Sequence, residues 1–390
     1  MKRVVVLGGG PAGAFTAERL AGAGLDTILI DEKLAWEKPC GGGLTYKAYN
    51  QYPFLIENDT PKKIITSTYL SSAKGGTAKL TLSQPLLIYS RFDLNSLLLE
   101  RAERAGAALE KTRVLGLERK GSGWSVRTRS GIIDADFCVV ATGARNTLRD
   151  VGTTWSPADT MTALGYYIPA TQDHIDLQFF PQFEGYIWIF PRNGHLSAGI
   201  AGKGKPAQEL RAMLEKYLRE KGIPLAGATF YGHVIPSLEK PAWRGNRVAG
   251  DGWLAVGDAA GLVDPVTGEG LYYAMRSADL AAQVVLNAAG QAAEEYRALL
   301  WREFIADLEL GARLAKRLFM GRFLYSDVTA RMIQFMRRSP TFCLIMQDLF
   351  AGTQNYLDLK GRLKQNLNGT IREVLMNFYF RQVVPSVEVS

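Results

Sequence analysis

The sequence predicts an α/β fold, and three observations support the prediction. Residues 2–32, KRVVVLGGGPAGAFTAERLAGAGLDTILIDE, read as an apolar strand, a glycine turn, a helix and a second apolar strand ending in acid. Two later runs, ADFCVVATGA (135–144) and WLAVGDAAG (253–261), are apolar strands that stop at a glycine; a continuous apolar run suits a strand buried on both faces of a parallel sheet. Between these runs the chain alternates, and after them it reads as helix, so the prediction adds an antiparallel sheet inside the parallel fold and helices at its end.

The first segment carries GxGxxG. Gly8 allows the tight turn after the strand, Gly10 lets the backbone approach a pyrophosphate, and Gly13 lets the helix opened by Pro11 and Ala12 lie close to the strand. Asp31, with Glu32 beside it, ends the second strand where a ribose hydroxyl would lie. This is the βαβ unit of a Rossmann-like dinucleotide-binding domain. Read alone, it leaves NAD and FAD equally open.

At 390 residues and 47% apolar content the chain suggests two intimately joined domains with ample core. No stretch approaches ~20 uninterrupted apolar residues, so a spanning helix is not expected. Met1-Lys2-Arg3 runs into the first strand with no targeting segment ahead of it, and a cytoplasmic location is expected. Cys40, Cys138 and Cys343 are far apart, as are His174, His195 and His233, so neither a metal site nor a disulfide scaffold is expected. Cys138 and Cys343 read as packing residues, and the histidines as surface or core.

The net charge of +8 is uneven. Between Leu310 and Met346 stand Arg313, Lys316, Arg317, Arg322, Arg331, Arg337 and Arg338 against the single acid Asp327. The same segment holds Leu314, Leu318, Phe319, Phe323, Met332, Ile333, Phe335 and Met336. A solvated bundle face is the plainer reading, and a basic amphipathic surface resting on the inner face of an anionic membrane is the alternative. No nucleic-acid recognition motif accompanies the charge.

Element by element, WEKPCGGGLT (36–45) is a loop before a short helix at Tyr46 to Tyr52, and strand-like runs follow at 64–70, 77–82 and 86–89. YSRFDLNSLLLERAERAGA (89–107) is a helix with Asp93 as its expected N-cap. A strand meander follows from Ala108 to Ile133, turning at Gly121–Gly123 and Ser130-Gly131. Alternating segments from about 150 to 240 form the antiparallel sheet, with one helix near Ala207 to Lys221. The nucleotide domain is expected from 1–60, 90–150 and 245–290, the substrate domain from 61–89 and 151–244, and a helical C-terminal region from 291–390.

Two constellations carry the chemistry. In residues 252–278 a strand ends at Gly257-Asp258, a loop carries Asp264-Pro265, and Gly268-Glu269-Gly270 opens a helix. A carboxylate at a strand end can accept hydrogen bonds from a sugar alcohol chain, and a glycine-rich helix start offers N–H groups to electron-rich ring atoms. In YIWIFP, side chains alternate with period two, so Tyr186, Trp188 and Phe190 share one face. They read either as the wall of a long apolar pocket or as an ordinary aromatic core face.

The N-terminal GxGxxG, the central Ala141-Thr142-Gly143 and the C-terminal Gly257-Asp258 occur in the order seen in FAD-dependent oxidoreductases of the para-hydroxybenzoate hydroxylase-like class, which this chain resembles. Arg91 with Asp93 is similar to that class's R-x-D segment, whose arginine lies by the flavin diphosphate. Within the class, Pro39-Cys40-Gly41-Gly42-Gly43 and Tyr186 to Pro191 followed by Gly199-Ile200-Ala201 resemble motifs of the geranylgeranyl reductase family. The match departs at Ala201, where that family has glycine.

The resemblance implies FAD as cofactor, NADPH or a ferredoxin as electron donor, an isoprenoid or lipid substrate, and saturation of carbon–carbon double bonds by hydride from reduced flavin. It puts Cys40, Gly41 and Gly42 beside the flavin, although Cys40 also reads as a small packing residue, and it puts Tyr186, Trp188 and Phe190 around the substrate. A monomer is the default. An aromatic monooxygenase uses the same scaffold, as does a halogenase, whose WxWxIP segment this chain lacks. A noncatalytic prenyl carrier on an FAD fold is the reading from a different class.

Overall fold

The computed structural model describes residues 3–287 and 291–379. These divide into two compact units: Met1–Lys38, Arg91–Thr160 and Val234–Glu309 form the first, and Pro39–Ser90, Met161–His233 and Leu310–Ser390 the second.

The first unit is built on a six-stranded sheet in the order Ala249–Gly250, Trp253–Ala255, Phe137–Val140, Arg3–Leu7, Asp26–Ile30, Ala108–Glu110. All its pairs are parallel except the edge hairpin 249–255. Val4, Val5 and Val6 are fully buried, as the apolar run requires of a strand covered on both faces. The helix Pro11–Gly22 packs against the helices Arg91–Arg104 and Leu271–Asn287. The expected meander is a three-stranded antiparallel sheet, Val114–Lys120, Gly123–Thr128 and Gly131–Ala135.

One cap differs from expectation. The helix that Asp93 was expected to cap begins at Arg91, so Asp93 falls in its first turn. Glu37 occupies the helix start instead: its carboxylate accepts the N–H groups of Arg91 (3.0 Å) and Phe92 (3.3 Å). A carboxylate from elsewhere in the chain thus satisfies the orphan donors that a local cap would have taken.

The second unit carries an eight-stranded sheet in the order Thr229–Pro236, Thr160–Ile168, Leu196–Gly202, Gly185–Pro191, Ile175–Phe179, Lys62–Ser72, Gly76–Tyr89, Gly43–Leu44. Its pairing is antiparallel except between Ile175–Phe179 and Lys62–Ser72. The three short runs expected between 64 and 89 are one long hairpin, with a register shift at Ile65/Ser67. Gly43–Leu44 pairs with that hairpin, which draws residues 39–60 into this unit although the sequence assigned them to the nucleotide domain.

The helix Ala207–Glu220 covers one face of this sheet. Leu210, Leu214 and Leu218 pack there with Ile187, Ile189 and Ile200. From the C-terminal helices, Phe319 reaches the opposite face, 6.3 Å from Phe179 and stacked on Tyr186 at 6.4 Å. Within 310–346, Phe319, Met332, Ile333 and Met336 are buried while Arg313, Lys316 and Arg317 are exposed. These helices therefore bury much of their apolar side in the core and leave these three basic residues at the surface. Among the described residues no helix is long and apolar enough to cross a membrane.

Candidate functional site: a nucleotide cradle and an aromatic wall

In the first unit the parallel register brings the carboxyl ends of three strands side by side, at Leu7-Gly8, Val140-Ala141 and Ala255-Val256. Ligands of open α/β sheets sit beyond such ends. The glycines there have distinct duties. Gly8 has φ +116°, which only glycine adopts without strain, and a methyl on it would overlap Ala141 O. A methyl on Gly13 would overlap Gly8 O. A methyl on Gly10 would meet no atom within 4 Å. The open position is thus the one assigned to the pyrophosphate, in front of a helix with no acidic residue in its first turn.

Asp31 ties this turn together. Its Oδ2 accepts Gly9 N–H (2.7 Å), and its Oδ1 accepts Lys33 N–H (2.7 Å) and Leu34 N–H (2.9 Å). A carboxylate offers about four acceptor directions, so one remains on Oδ2 for a ribose hydroxyl. Glu32 is directed to other partners, in exposed ion pairs with Arg129 (2.9 Å) and Arg113 (4.0 Å).

Arg91 is 4% exposed, and its Nη2 donates to Asn95 Oδ1 at 3.3 Å. Its Nε is buried without a hydrogen-bond partner among the described residues. A buried guanidinium with an unused donor calls for an anion, and a dinucleotide diphosphate supplies one. The residues present therefore fit FAD.

The third strand end completes the unit. Thr142 Oγ1 lies 3.5 Å from Asn146 Oδ1, and Gly143 has φ +74°. Gly257 N–H donates to Ser277 Oγ (2.9 Å), and Asp258 stands 3.7 Å from Lys38 Nζ. A methyl on Gly143 would also be 3.8 Å from Lys38 Nζ, so this lysine serves both motif segments. The Gly268–Gly270 loop is shaped by buried Asp264, whose Oδ1 accepts Val266 N–H and Thr267 N–H, both at 2.9 Å, while its backbone N–H donates to Glu269 O.

In the second unit the strand Gly185–Pro191 places Tyr186, Trp188 and Phe190 on one face, as alternation predicts, because Ile187 and Ile189 belong to the cluster under the helix Ala207–Glu220. Trp188 lies on Gly199, where any Cβ would collide with its ring. Ala201 stands opposite Tyr186, so close clearance is needed at Gly199 and not at Ala201. At the end of the row, the Phe190 ring comes within 3.1 Å of where methyls on Gly41 and Gly43 would sit. The aromatic wall thus runs into the Cys40 loop.

That loop is clamped from below. Arg192 is fully buried, donates through Nη2 to Cys40 O and through Nε to Gly41 O (3.3 Å), and lies over the Tyr167 ring at 5.3 Å. Burial pulls its guanidinium down to about 10, still charged at neutral pH. Ser197 Oγ donates to Cys40 O at 2.8 Å and lies 3.0 Å from Tyr231 Oη, whose proton burial holds up to about 12. Cys40 Sγ accepts Gly42 N–H at 3.3 Å, and Gly42 has φ +84°.

Cys138 and Cys343 are buried, and burial pushes the Cys138 thiol up to about 12. His174 sits between Asp173 and Asp176, and His195 lies edge-on to Tyr167 at 5.5 Å. Lys38, Glu37, Arg192, Ser197 and Tyr231 escaped the sequence reading. Arg192 carried one usable signal, a charge placed directly after the apolar run YIWIFP.

Comparisons with known proteins identify the family. Residues 90–298, more than half the chain, match the family described as FAD dependent oxidoreductase. Geranylgeranyl diphosphate reductase of Synechocystis is 30% identical over 317 residues, 73% of this chain and 75% of that protein. Menaquinone reductase of Mycolicibacterium smegmatis is 29% identical over 355 residues, 82% of this chain and 85% of that protein. A geranylgeranyl bacteriochlorophyll reductase-like protein of Thermoplasma acidophilum superposes with a TM-score of 0.75 at 22% identity, over 94% of this chain and 99% of its own. The chain therefore belongs to the FAD dependent oxidoreductase family, as an enzyme whose relatives include geranylgeranyl reductases.

Proposed function

We propose that this enzyme saturates carbon–carbon double bonds in the isoprenoid chain of a lipid. The observation that carries the reading is the junction in the second unit, where the aromatic face of Tyr186, Trp188 and Phe190 meets the Cys40–Gly43 loop. An alkene has little charge for a side chain to stabilise, so alignment and exclusion of water are what the protein contributes. Bound FAD supplies hydride equivalents when reduced.

The chain's residues divide the remaining work. Gly10, Asp31 and Arg91 hold the AMP and diphosphate end, on a turn whose close packing Gly8 and Gly13 permit, with Ala141–Gly143, Asp258 and the Gly268–Gly270 loop completing the cradle. Trp188 and Tyr186 wall the prenyl chain, and Phe190 supports the loop. Arg192 and Ser197 hold the Cys40 carbonyl, so the backbone of that loop keeps one orientation. Tyr231 keeps its proton at neutral pH and shares it with Ser197 Oγ.

The curated relatives name a geranylgeranyl diphosphate and a menaquinone, and both carry a polyprenyl chain. This favours an isoprenoid on a polar head group, with NADPH or a ferredoxin as electron source and a monomer as working unit. Because the substrate is a lipid, contact with the membrane surface belongs to the same reading. The test is anaerobic turnover of the chemically reduced holoenzyme with geranylgeranyl diphosphate, followed by mass spectrometry. A gain of two hydrogens per reduced bond is expected. No gain with any polyprenyl substrate, together with oxygen-dependent hydroxylation of an aromatic panel, would replace the reductase with a monooxygenase.

A further inference from the structure

The C-terminal region exposes an apolar tip where the core does not use it. Strands Arg322–Phe323 and Ser326–Asp327 form a hairpin with Leu324 and Tyr325 as its two-residue turn. Tyr325 is 103% exposed, Leu324 56% and Phe323 49%. Both turn residues have positive φ, 46° and 62°, a conformation for which hairpins normally use Asn-Gly. A leucine and a tyrosine held there, pointing away from any packing, suit a ligand outside the protein better than they suit the turn.

The hairpin is tied to its neighbours. Arg331 donates to Phe323 O (3.3 Å) and to Leu324 O, Val328 N–H closes back on Gly321 O (3.2 Å), and Phe323 packs edge-on against Phe335 at 6.2 Å. The chain leading into it is basic. Arg313, Lys316 and Arg317 share one side of the preceding helix at spacings of three and four, and Arg322 opens the hairpin; all four are exposed. Asp327 is the one acid between residues 310 and 346, and it is buried. An exposed apolar tip preceded along the chain by four exposed cations complements a surface with anionic head groups over hydrocarbon.

We propose that the 322–327 hairpin docks this enzyme on an anionic phospholipid bilayer, with Leu324 and Tyr325 entering the interface and Arg313, Lys316, Arg317 and Arg322 meeting the head groups. This places membrane contact on the hairpin, because Phe319, Met332, Ile333 and Met336 of the flanking helices are buried while the turn between its strands is exposed. It deepens the lipid-reductase reading by naming the surface from which substrate is drawn. The test needs no turnover, so its failure is separable from failure of that reading.

The experiment is flotation of the FAD-loaded protein with vesicles of phosphatidylcholine alone or of equal parts phosphatidylcholine and phosphatidylglycerol. Flotation with the anionic vesicles only, reversed by salt, is expected. Leu324→Ser/Tyr325→Ser should cut the floated fraction about tenfold, and Arg317→Gln/Arg322→Gln should erase the preference for anionic lipid. Retained FAD absorbance verifies that these variants are folded. Tyr325→Trp should show fluorescence quenching by brominated lipid.

Ile371→Ser/Leu375→Ser, on another exposed apolar helix face, is the control. Flotation that follows this pair instead of the hairpin pair overturns the proposal. So does the absence of wild-type flotation, or a dimer in sedimentation that Leu324→Ser/Tyr325→Ser dissolves, which would make the hairpin a self-interface.

Discussion

Gly10→Ala and Gly13→Ala separate a glycine that serves the ligand from one that serves the fold. At Gly13 a methyl would overlap Gly8 O and stand 3.0 Å from Gly8 C and 3.1 Å from Ala141 Cβ, so it meets backbone that cannot step aside. Overpacking typically costs 1–3 kcal/mol, and contact with main chain puts this case near ~3. The gain in helix propensity on replacing glycine offsets about 1 kcal/mol, leaving a net cost of roughly 2 kcal/mol. For units of this size that corresponds to a fall in Tm of about 4–8 °C.

At Gly10 nothing lies within 4 Å and φ is −70°, which alanine adopts freely. As an N-cap, alanine costs under ~1 kcal/mol relative to glycine. The Gly10→Ala apoprotein should therefore melt within about 3 °C of wild type, while its methyl occupies the approach of the pyrophosphate. Affinity for FAD should fall at least about tenfold, or ~1.4 kcal/mol. The assay is thermal unfolding of the deflavinated proteins followed by titration with FAD, read as flavin fluorescence quenching. If Gly10→Ala binds FAD as tightly as wild type, the pyrophosphate does not sit at this turn. If Gly13→Ala melts normally, the close helix–strand contact is not what the glycine is for.

Other expectations follow from the same geometry. Arg91→Met should leave apoprotein stability nearly unchanged, since a buried guanidinium with an unused Nε is removed, but weaken FAD by roughly 10- to 150-fold, the range of a charge-assisted hydrogen bond; equal affinity in the same titration refutes the assignment. Trp188→Ala should lower stability by about 3–5 kcal/mol, keep FAD and lose prenyl reduction; loss of FAD would make Trp188 a residue of the fold alone. Hydrogen bonding to Asp176 raises the pKa of His174 above 6.5, more than burial lowers it. That contribution is fully present below the ordinary value and fades as pH rises through the folded value, so His174→Gln should cost more stability in mildly acidic buffer than in mildly alkaline buffer; equal losses at both refute it. Removing FAD should lower Tm by several degrees, since ligand at ~100 Kd stabilises by ~2.7 kcal/mol; differential scanning calorimetry with added FAD checks it.

Much was legible in the chain itself. Elements that local physics determines, such as the buried VVVL strand, the glycine turn and the alternating YIWIFP face, could be read because a period or an obligatory glycine leaves a mark over a few residues. The shared face of Tyr186, Trp188 and Phe190 follows from alternation alone. The duties of single charges were not legible. Glu32 and Asp31 are adjacent in sequence, yet one faces Arg129 and the other holds the Gly9 turn. Glu37 displaced Asp93 at a helix start from 54 residues away.

The same contrast runs through the whole protein. The local sequence determined the nucleotide-type βαβ unit, the order of the motifs and the resemblance that implied FAD, because each depends on neighbours within one turn or strand. Tertiary structure alone decided that Gly43–Leu44 joins the second sheet and residues 39–60 the second unit, that Arg192 and Ser197 converge on the Cys40 carbonyl, and that Phe319, Met332, Ile333 and Met336 turn inward while the Leu324-Tyr325 turn stays outside. These depend on which distant strand completes a sheet and which buried donor lacks a partner, and the free energy of satisfying them is set by contacts between residues far apart in the chain, 157 positions for Ser197 and Cys40.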